Sequence, residues 1–377
     1  MKKVVILQHR LLHYRTGMFD QLRSACAEHN IDLMLVHGQA TRREMIKRDE
    51  GNLPWAIKVQ NKVWEVGARD VIWQPFPEQA KGADLVILMQ ESRILSNYPL
   101  LLSRLWGVRK VAYWGHGKNF QSQHPSGLRE TWKNLLLKQV DWWFSYTCAT
   151  TNIIESAGYR RENITQLDNA IDSEGFKKDL ASWSDDEVIE GRKQLGIEQN
   201  APVGIFCGSL YPDKRLDLLI SASDLIRQEI PNFNLLVIGD GPSMPELIEA
   251  KVTRPWIHLL GVQKGREKAR YFRMSDVMLN PGLVGLHIVD AFCAGLVMIT
   301  TDNAKHSPEV AYLTNKINGL MVSDNPAEYA ASVASLLKNQ LALAQMKSHA
   351  LADSKRYTQE NMIKRFTEGI VKATSNK

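Results

Sequence analysis

Cysteine is scarce in this sequence, and none of it is paired. The four thiols, Cys26, Cys148, Cys207 and Cys293, lie far apart and mostly inside apolar stretches, with no Cys-x-x-Cys and no zinc-ligand spacing. That excludes a disulfide scaffold and a zinc finger, and it points to buried thiols in a reducing cytoplasm. Long apolar runs are missing too. No window approaches the roughly 18 uncharged apolar residues that a membrane span requires, and MKKVVILQHR offers about five apolar residues before Gln8, too few for a signal-peptide core. The expectation is a cytoplasmic protein, soluble or peripheral at the inner face of the membrane. Glycine is thin where a dinucleotide fold needs it. The loop after the first apolar run, HRLLHYRTG, holds only Gly17 in place of G-x-G-x-x-G, which argues against a nicotinamide dehydrogenase. His9 and His13 have no third ligand close by, so no metal is expected. No nucleic-acid module or strong basic stripe is present, and no nucleic-acid partner is expected.

What the chain does have is length and alternation. Its 377 residues, 44% hydrophobic, suit two domains better than one core. Apolar runs read as buried strands at Lys3–Gln8, Ile31–Val36, Ala83–Met89, Lys110–Trp114 and Trp142–Thr147, and again at Val203–Cys207, Leu235–Ile238 and Val297–Thr300. Helical patterns lie between them, at Met18–Glu28, Leu95–Trp106, Leu128–Val140, Thr151–Gly158 and Ser184–Leu195, the last opened by Ser184 with Glu187 three residues on. Strands alternating with helices imply parallel sheets with right-handed crossovers, and function at the strands' C-terminal ends.

The charge is unevenly placed. Residues 1–172 hold 23 Lys and Arg against 17 Asp and Glu, whereas residues 173–377 hold 24 of each, so the first half carries the whole excess of +6. Its densest cluster, Arg42, Arg43, Lys47 and Arg48, is followed by Trp55, Lys58, Lys62 and Trp64. This segment reads either as a surface for an anionic membrane or a phosphate-bearing acceptor, or as a solvated helix face. In the same half, GHGKN at Gly115–Asn119 follows a strand directly. It lacks the spacing of a Walker loop, and His116 in it is the candidate acid/base or polarising group.

The chain is organised around Asn280–Asp302, NPGLVGLHIVDAFCAGLVMITTD. Pro281, Gly282 and Gly285 break a buried strand, a helix starts near Leu286, and Val289, Phe292, Cys293 and Leu296 form its buried face. His287 and Asp290 share the first turn on another side. A glycine loop feeding a helix is expected to cradle a diphosphate.

Here the sequence resembles the GT-B glycosyltransferases, and within them the retaining family 4. Members carry Glu-Gly-Phe-Gly, four residues, then Glu-Ala-Met-Ala-x-Gly-x-Pro-Val-Ile. That pattern falls on Gly282–Gly285 and Asp290–Ile299, with Gly285, Ala291, Gly295 and Ile299 in agreement, Asp290 for the second Glu, Gly282 for the first and Val297 for the Pro. A polysaccharide-biosynthesis branch with a Pro-Gly-x-Val-Gly-Leu loop is more similar to Pro281–Leu286. The resemblance implies two Rossmann-like, doubly wound α/β lobes with an interdomain cleft. Residues 1–175 would be the acceptor lobe, 176–355 the donor lobe, and 356–377 a helix crossing back to the first. It gives Asp290 the nucleotide ribose, and leaves nothing for the sugar contact of the missing first Glu. Gly208-Ser209-Leu210 through Lys214-Arg215 is similar to the family's Gly-Arg-Leu-x-x-x-Lys-Gly, so Lys214 grips the diphosphate, Ser209 replaces an Arg, and Arg215 is a candidate for the displaced cation. Leu259–Val262, with Gly261 and Val262, occupies the base-contacting place. Glu309 is either a donor contact or a cap of a short helix, and Asp240 in IGDGP either a site residue or an N-cap. Gly285, Leu286 and His287 complete the donor set; Arg15, Thr16, Gly17 and Asn119 line the cleft.

The implied activity is transfer of a sugar, with retention, from a UDP- or GDP-linked donor to a hydroxyl of a saccharide or lipid-linked acceptor in bacterial surface polysaccharide synthesis. No other cofactor and no metal are implied. The alternatives are another GT-B enzyme, an epimerase or phosphorylase, and a non-catalytic nucleotide-sugar binder.

Overall fold

The computed structural model describes residues 1–45, 49–67, 69–104, 106–117 and 136–375, and its chain divides into two units, 1–172 with 359–377, and 173–358. In the first, strands β1 (Lys2–Gln8), β2 (Ile31–His37) and β3 (Ile57–Lys58) precede a separate hairpin of β4 (Lys62–Val66) and β5 (Arg69–Trp73). Then come β6 (Leu85–Met89), β7 (Lys110–Gly115), β8 (Trp142–Ser145) and β9 (Ile164–Gln166). The main sheet has the order β3-β2-β1-β6-β7-β8-β9, and every pair in it is parallel.

A parallel sheet is buried on both faces, which is why these strands read as unbroken apolar runs. Successive residues of β1 serve opposite faces. Val4 and Ile6 pack with Phe19, Leu22, Trp114 and Phe144; Val5 and Leu7 pack with Val86, Leu88, Tyr113 and Trp143. The helix Gln359–Ser375 closes the first face with Met362, Phe366 and Ile370 at a spacing of four, and the Phe366 ring lies 5.0 Å from Trp114 and 4.6 Å from Phe144.

The second unit carries β10 (Val203–Cys207), β11 (Asn234–Ile238), β12 (Ile257–Leu259), β13 (Val277–Leu279), β14 (Val297–Thr301) and β15 (Gly319–Val322), all parallel, in the order β12-β11-β10-β13-β14-β15. The Ser184 cap forms as a full capping box with Glu187. In both sheets the order reverses beside the first strand, between β1 and β6 and between β10 and β13. A crevice opens at such a reversal, outside the strands' C-terminal ends.

Several element bounds differ from the sequence reading. The helix expected over 95–106 is Asn97–Arg104. The strand from Trp142 stops at Ser145 because Thr147 caps the helix Cys148–Ser156, its hydroxyl accepting from the Thr150 N–H. Most of the helix expected over 128–140 falls outside the described residues.

Candidate functional site

The crevice of the second unit is built from three glycine-bearing loops that follow β10, β11 and β13, stitched backbone to backbone. Gly208 N–H donates to the Ile238 carbonyl at 3.0 Å, Leu210 N–H to the Asp240 carbonyl at 3.0 Å, and Leu283 N–H to the Asp213 carbonyl at 2.8 Å. Two glycines make this approach possible. A Cβ on Gly239 would sit 1.9 Å from the Gly208 carbonyl oxygen, and one on Gly282 would sit 2.3 Å from that of Asp213. Glycine at 282 thus has a local consequence: the β13 loop lies directly on the backbone of Asp213 and Lys214.

Lys214 is buried and its Nζ donates to the Leu283 carbonyl, so the ammonium is held against the loop of Pro281–Gly285. Burial pushes its pKa down to about 8, against the attraction of Asp213. Asp290, on the helix His287–Cys293, accepts from Lys268 Nζ at 2.6 Å. Burial works against the Lys268 charge, but Asp290 outweighs it and raises the pKa. Between the two lysines, burial first and then the charges of Lys214 and Lys268 hold His287 neutral, well below its usual range, and its Nε2 is buried without a hydrogen-bond partner. His306 fixes the loop from the other side: Nε2 donates to the Thr301 carbonyl at 2.7 Å and Nδ1 accepts from Val284 N–H at 3.1 Å. Burial also lifts the nearby Cys207 thiol to about 12, so it is no nucleophile at neutral pH. Two cations, a carboxylate and a neutral imidazole therefore share one glycine-lined crevice.

Glu309 is buried in the short helical turn Pro308–Tyr312, Leu286 and Gly285 are half-buried, and Ser209 is exposed. Gly261, at φ 65°, accepts from Gly239 N–H at 2.8 Å, and Val262 beside it is exposed. Arg215 is committed elsewhere, donating to both oxygens of Asp324 at 2.7 and 2.8 Å and also to Asp217. Asp240 is not an N-cap: its Oδ1 accepts from the adjacent Gly241 N–H, and the next helix, Met244–Thr253, starts after Ser243. Sequence reasoning missed Lys268 and His306. His306 carried a usable signal, standing two residues before the Pro308-Glu309 pair that was singled out.

In the first unit, Arg15 is buried over the Trp114 ring, 4.6 Å from its centroid, and donates to Gln8 Oε1 and to Tyr146 Oη at 3.3 and 3.1 Å. Burial opposes its charge, but the Tyr146 and Tyr14 hydroxyls keep it protonated. The His116 ring packs on Tyr146 at 4.3 Å. Desolvation of the ring and then the Arg15 charge push His116 down to about 4, with Glu91 pulling the other way, although the residue is exposed overall. Thr16 is exposed and donates to the His13 carbonyl, and Gly17 has open space around it. Asn119 and its neighbour Lys118 lie outside the described residues. His9 is engaged with Glu44 at 3.1 Å, Glu91 at 3.7 Å and Arg93 at 3.3 Å, an ion network. Among the described residues no group of three or more His, Cys, Asp or Glu is arranged to hold a metal ion, and no helix is long and apolar enough to cross a membrane.

Residues 201–339 match the family model of glycosyl transferases group 1. That span contains the three loops after β10, β11 and β13. Over 202 residues the chain is 26% identical to alpha-monoglucosyldiacylglycerol synthase of Acholeplasma laidlawii, covering 52% of this chain and 49% of that protein. It spans about half the length of the curated relatives it matches. Among solved structures, Anabaena Alr3699/HepE in complex with UDP superposes with a TM-score of 0.70 at 16% identity, covering 99% of this chain and 100% of that one. A putative UDP-N-acetylglucosamine 2-epimerase from Listeria monocytogenes superposes with a TM-score of 0.64 at 13% identity, covering 98% and 96%. The fold is the two-lobe, parallel-sheet α/β fold of the GT-B glycosyltransferases.

Proposed function

We propose that this protein is a glycosyltransferase, moving a sugar with retention from a nucleotide-sugar donor to a hydroxyl of a saccharide or lipid-linked saccharide in bacterial surface polysaccharide synthesis. The observation that carries the reading is the placement of Lys214 against the Pro281–Gly285 loop, with the Lys268–Asp290 pair in the same crevice. Lys214 and the loop amides would take the diphosphate, and Asp290 the ribose hydroxyls. In transfer the bond from the anomeric carbon to the diphosphate breaks, the same carbon bonds the acceptor oxygen, and the acceptor's proton leaves with the departing phosphate. The charge that develops on the diphosphate falls where a cation and backbone donors are already fixed. In the first unit His116, neutral above about pH 4, is assigned to hydrogen-bond the incoming hydroxyl. Similarity to a protein solved with UDP supports a UDP-linked donor, and similarity to a diacylglycerol glucoside synthase supports a lipid-linked acceptor.

The test is a thermal-shift panel of UDP-, GDP-, dTDP- and CMP-sugars with and without EDTA, followed by turnover of the donor that binds. A saturable shift that survives EDTA and is lost in Lys214→Ala and Asp290→Ala supports the site; unchanged binding in both variants sinks it. The likeness to an epimerase structure favours one second reading, isomerisation of the donor sugar. An epimerase releases an isomer of the donor without any acceptor, whereas the transferase yields a glycoside whose anomeric proton in the NMR spectrum reports retention.

A further inference from the structure

The structure re-sorts the basic, tryptophan-rich segment of the first unit. Trp55 is taken up internally: its Nε1 donates to Asp20 at 2.6 Å, its ring holds the Arg23 guanidinium at 4.6 Å, and it packs on the core. Arg43 turns to the Gly67 carbonyl and to the carboxylates of Glu65 and Asp70. What faces outward is one side of the β4–β5 hairpin. The antiparallel register pairs Lys62 with Trp73, Trp64 with Val71 and Val66 with Arg69, so these six side chains share a face. Trp64, Val66 and Trp73 on it are 48%, 61% and 38% exposed. Both carboxylates of the hairpin, Glu65 and Asp70, belong to the opposite face, where Asp70 and Ile72 are buried and Ile72 bonds through its backbone to Arg93 and Leu95.

Outward indoles and valines lose apolar burial, so folding alone gives no reason for them. Their setting does. Two cations and no carboxylate accompany two tryptophans on one face of the ribbon, which matches the headgroup layer of an anionic bilayer: indoles sit at the interface while Lys and Arg meet lipid phosphates. A protein partner would also cover apolar surface, but the separation of charge across the ribbon, Lys62 and Arg69 on one face and Glu65 and Asp70 on the other, selects a uniformly anionic one. We infer that the β4–β5 hairpin docks the protein on an anionic lipid surface. Its two ends are fixed to the end of β1, since Asn61 Nδ2 donates to the His9 carbonyl at 2.6 Å and Gln74 Nε2 to the Gln8 carbonyl at 2.8 Å. Docking therefore anchors the C-terminal end of the sheet, which carries Arg15 after β1 and His116 after β7. That this end receives a lipid-linked acceptor rests on the proposed transfer reaction; the docking itself does not.

Cosedimentation with extruded vesicles tests it, comparing pure phosphatidylcholine with a mixture containing phosphatidylglycerol. The wild type is expected to partition on the anionic vesicles about tenfold more than on neutral ones, and less at high salt. Trp64→Ser/Trp73→Ser should lower that partition about tenfold, and Lys62→Glu/Arg69→Glu should remove the anionic preference. Because all four side chains are at the surface, both variants should keep the wild-type unfolding temperature and nucleotide-sugar shift, which separates this result from the fate of the donor site. Wild-type protein that stays in the supernatant with anionic vesicles, or a tryptophan variant that partitions as the wild type does, overturns the inference; the former with a captured protein partner would reassign the face.

Discussion

Removing Lys268 would strand a carboxylate. Asp290 is buried, and the Lys268 ammonium lies against it at 2.6 Å. Breaking a buried pair from one side costs far more than the pair itself contributes, so Lys268→Met should lower the unfolding free energy by about 3 kcal/mol, with most of it regained in Lys268→Met/Asp290→Asn. Urea titrations of the wild type, Lys268→Met, Asp290→Asn and the double variant decide this, and a Lys268→Met protein as stable as the wild type would count against the pairing. Lys214 should behave in the opposite way. Its folded pKa of about 8 lies below the ordinary 10.5, so the charged form is penalised in the folded protein at every pH below about 8 and the penalty fades as pH rises to 10.5. Lys214→Met is therefore expected to stabilise the ligand-free protein by about 1–3 kcal/mol at pH 7 while weakening donor binding at least tenfold. Calorimetry beside a binding isotherm checks both halves. Lys214 and Asp290 were legible because each sits in a local strand–loop–helix signal. Lys268 was not, because its helix Gly265–Arg273 shows only a charged stripe and the pairing is made across the fold.

Among the elements, the loops were easier to read than the ribbon. The parallel strands announce themselves as apolar runs, but β4 and β5 leave tryptophan and valine exposed on one face and carry Glu65 and Asp70 on the other, so their alternation does not look like a half-buried hairpin. The helix Gln340–Asp353 escaped notice for a related reason: only Leu343 and Ala350 of it are buried, leaving no apolar stripe. The glycine loops carry a sharper prediction than their sequence does. A methyl group on Gly282 would meet the backbone of Asp213 and Lys214 at 2.3 Å, and backbone cannot rotate away as a side chain can. Gly282→Ala should cost about 1–3 kcal/mol and displace the loop from Lys214, lowering donor affinity with it. Gly17→Ala is the control. Gly17 has no neighbour within 4 Å, a φ in the ordinary range and a place in the helix Thr16–Glu28, so the same change there should be neutral or stabilising by up to about 1 kcal/mol. Equal losses at the two positions would mean that crowding is not what demands glycine at 282.

At the scale of the whole molecule, the repeat of strand, loop and helix gave the two sheets and the direction of their crevices, whereas strand order had to come from the structure, because periodicity says which face is buried and not which strand is the neighbour. The same is true of charge. Net charge is read from the sequence, but the titration of the folded protein depends on where each group is enclosed. Burial is the main cause that holds His258 at about 4, His306 below its ordinary value and His287 well below it. The unfolded chain protonates these groups near 6.5, so between about pH 6.5 and 4 it binds protons that the folded protein refuses. Stability should consequently be full above pH 7 and fall as pH drops through this window. The low carboxylates of the first unit do not blur it. Glu44 and Glu91 are held below 4.5 by His9 and Arg93 despite burial, so their stabilisation persists above 4.5 and is lost only under more acid conditions. His258, half-buried against Asn234 Oδ1 at 3.0 Å, isolates one share of the effect: it should account for about 2 kcal/mol lost between pH 7 and 5. Urea unfolding at pH 7, 6 and 5 is expected to show a clear decline in the wild type and a shallower one in His258→Gln, whereas a flat wild-type profile would mean that the histidines are not kept neutral by the fold.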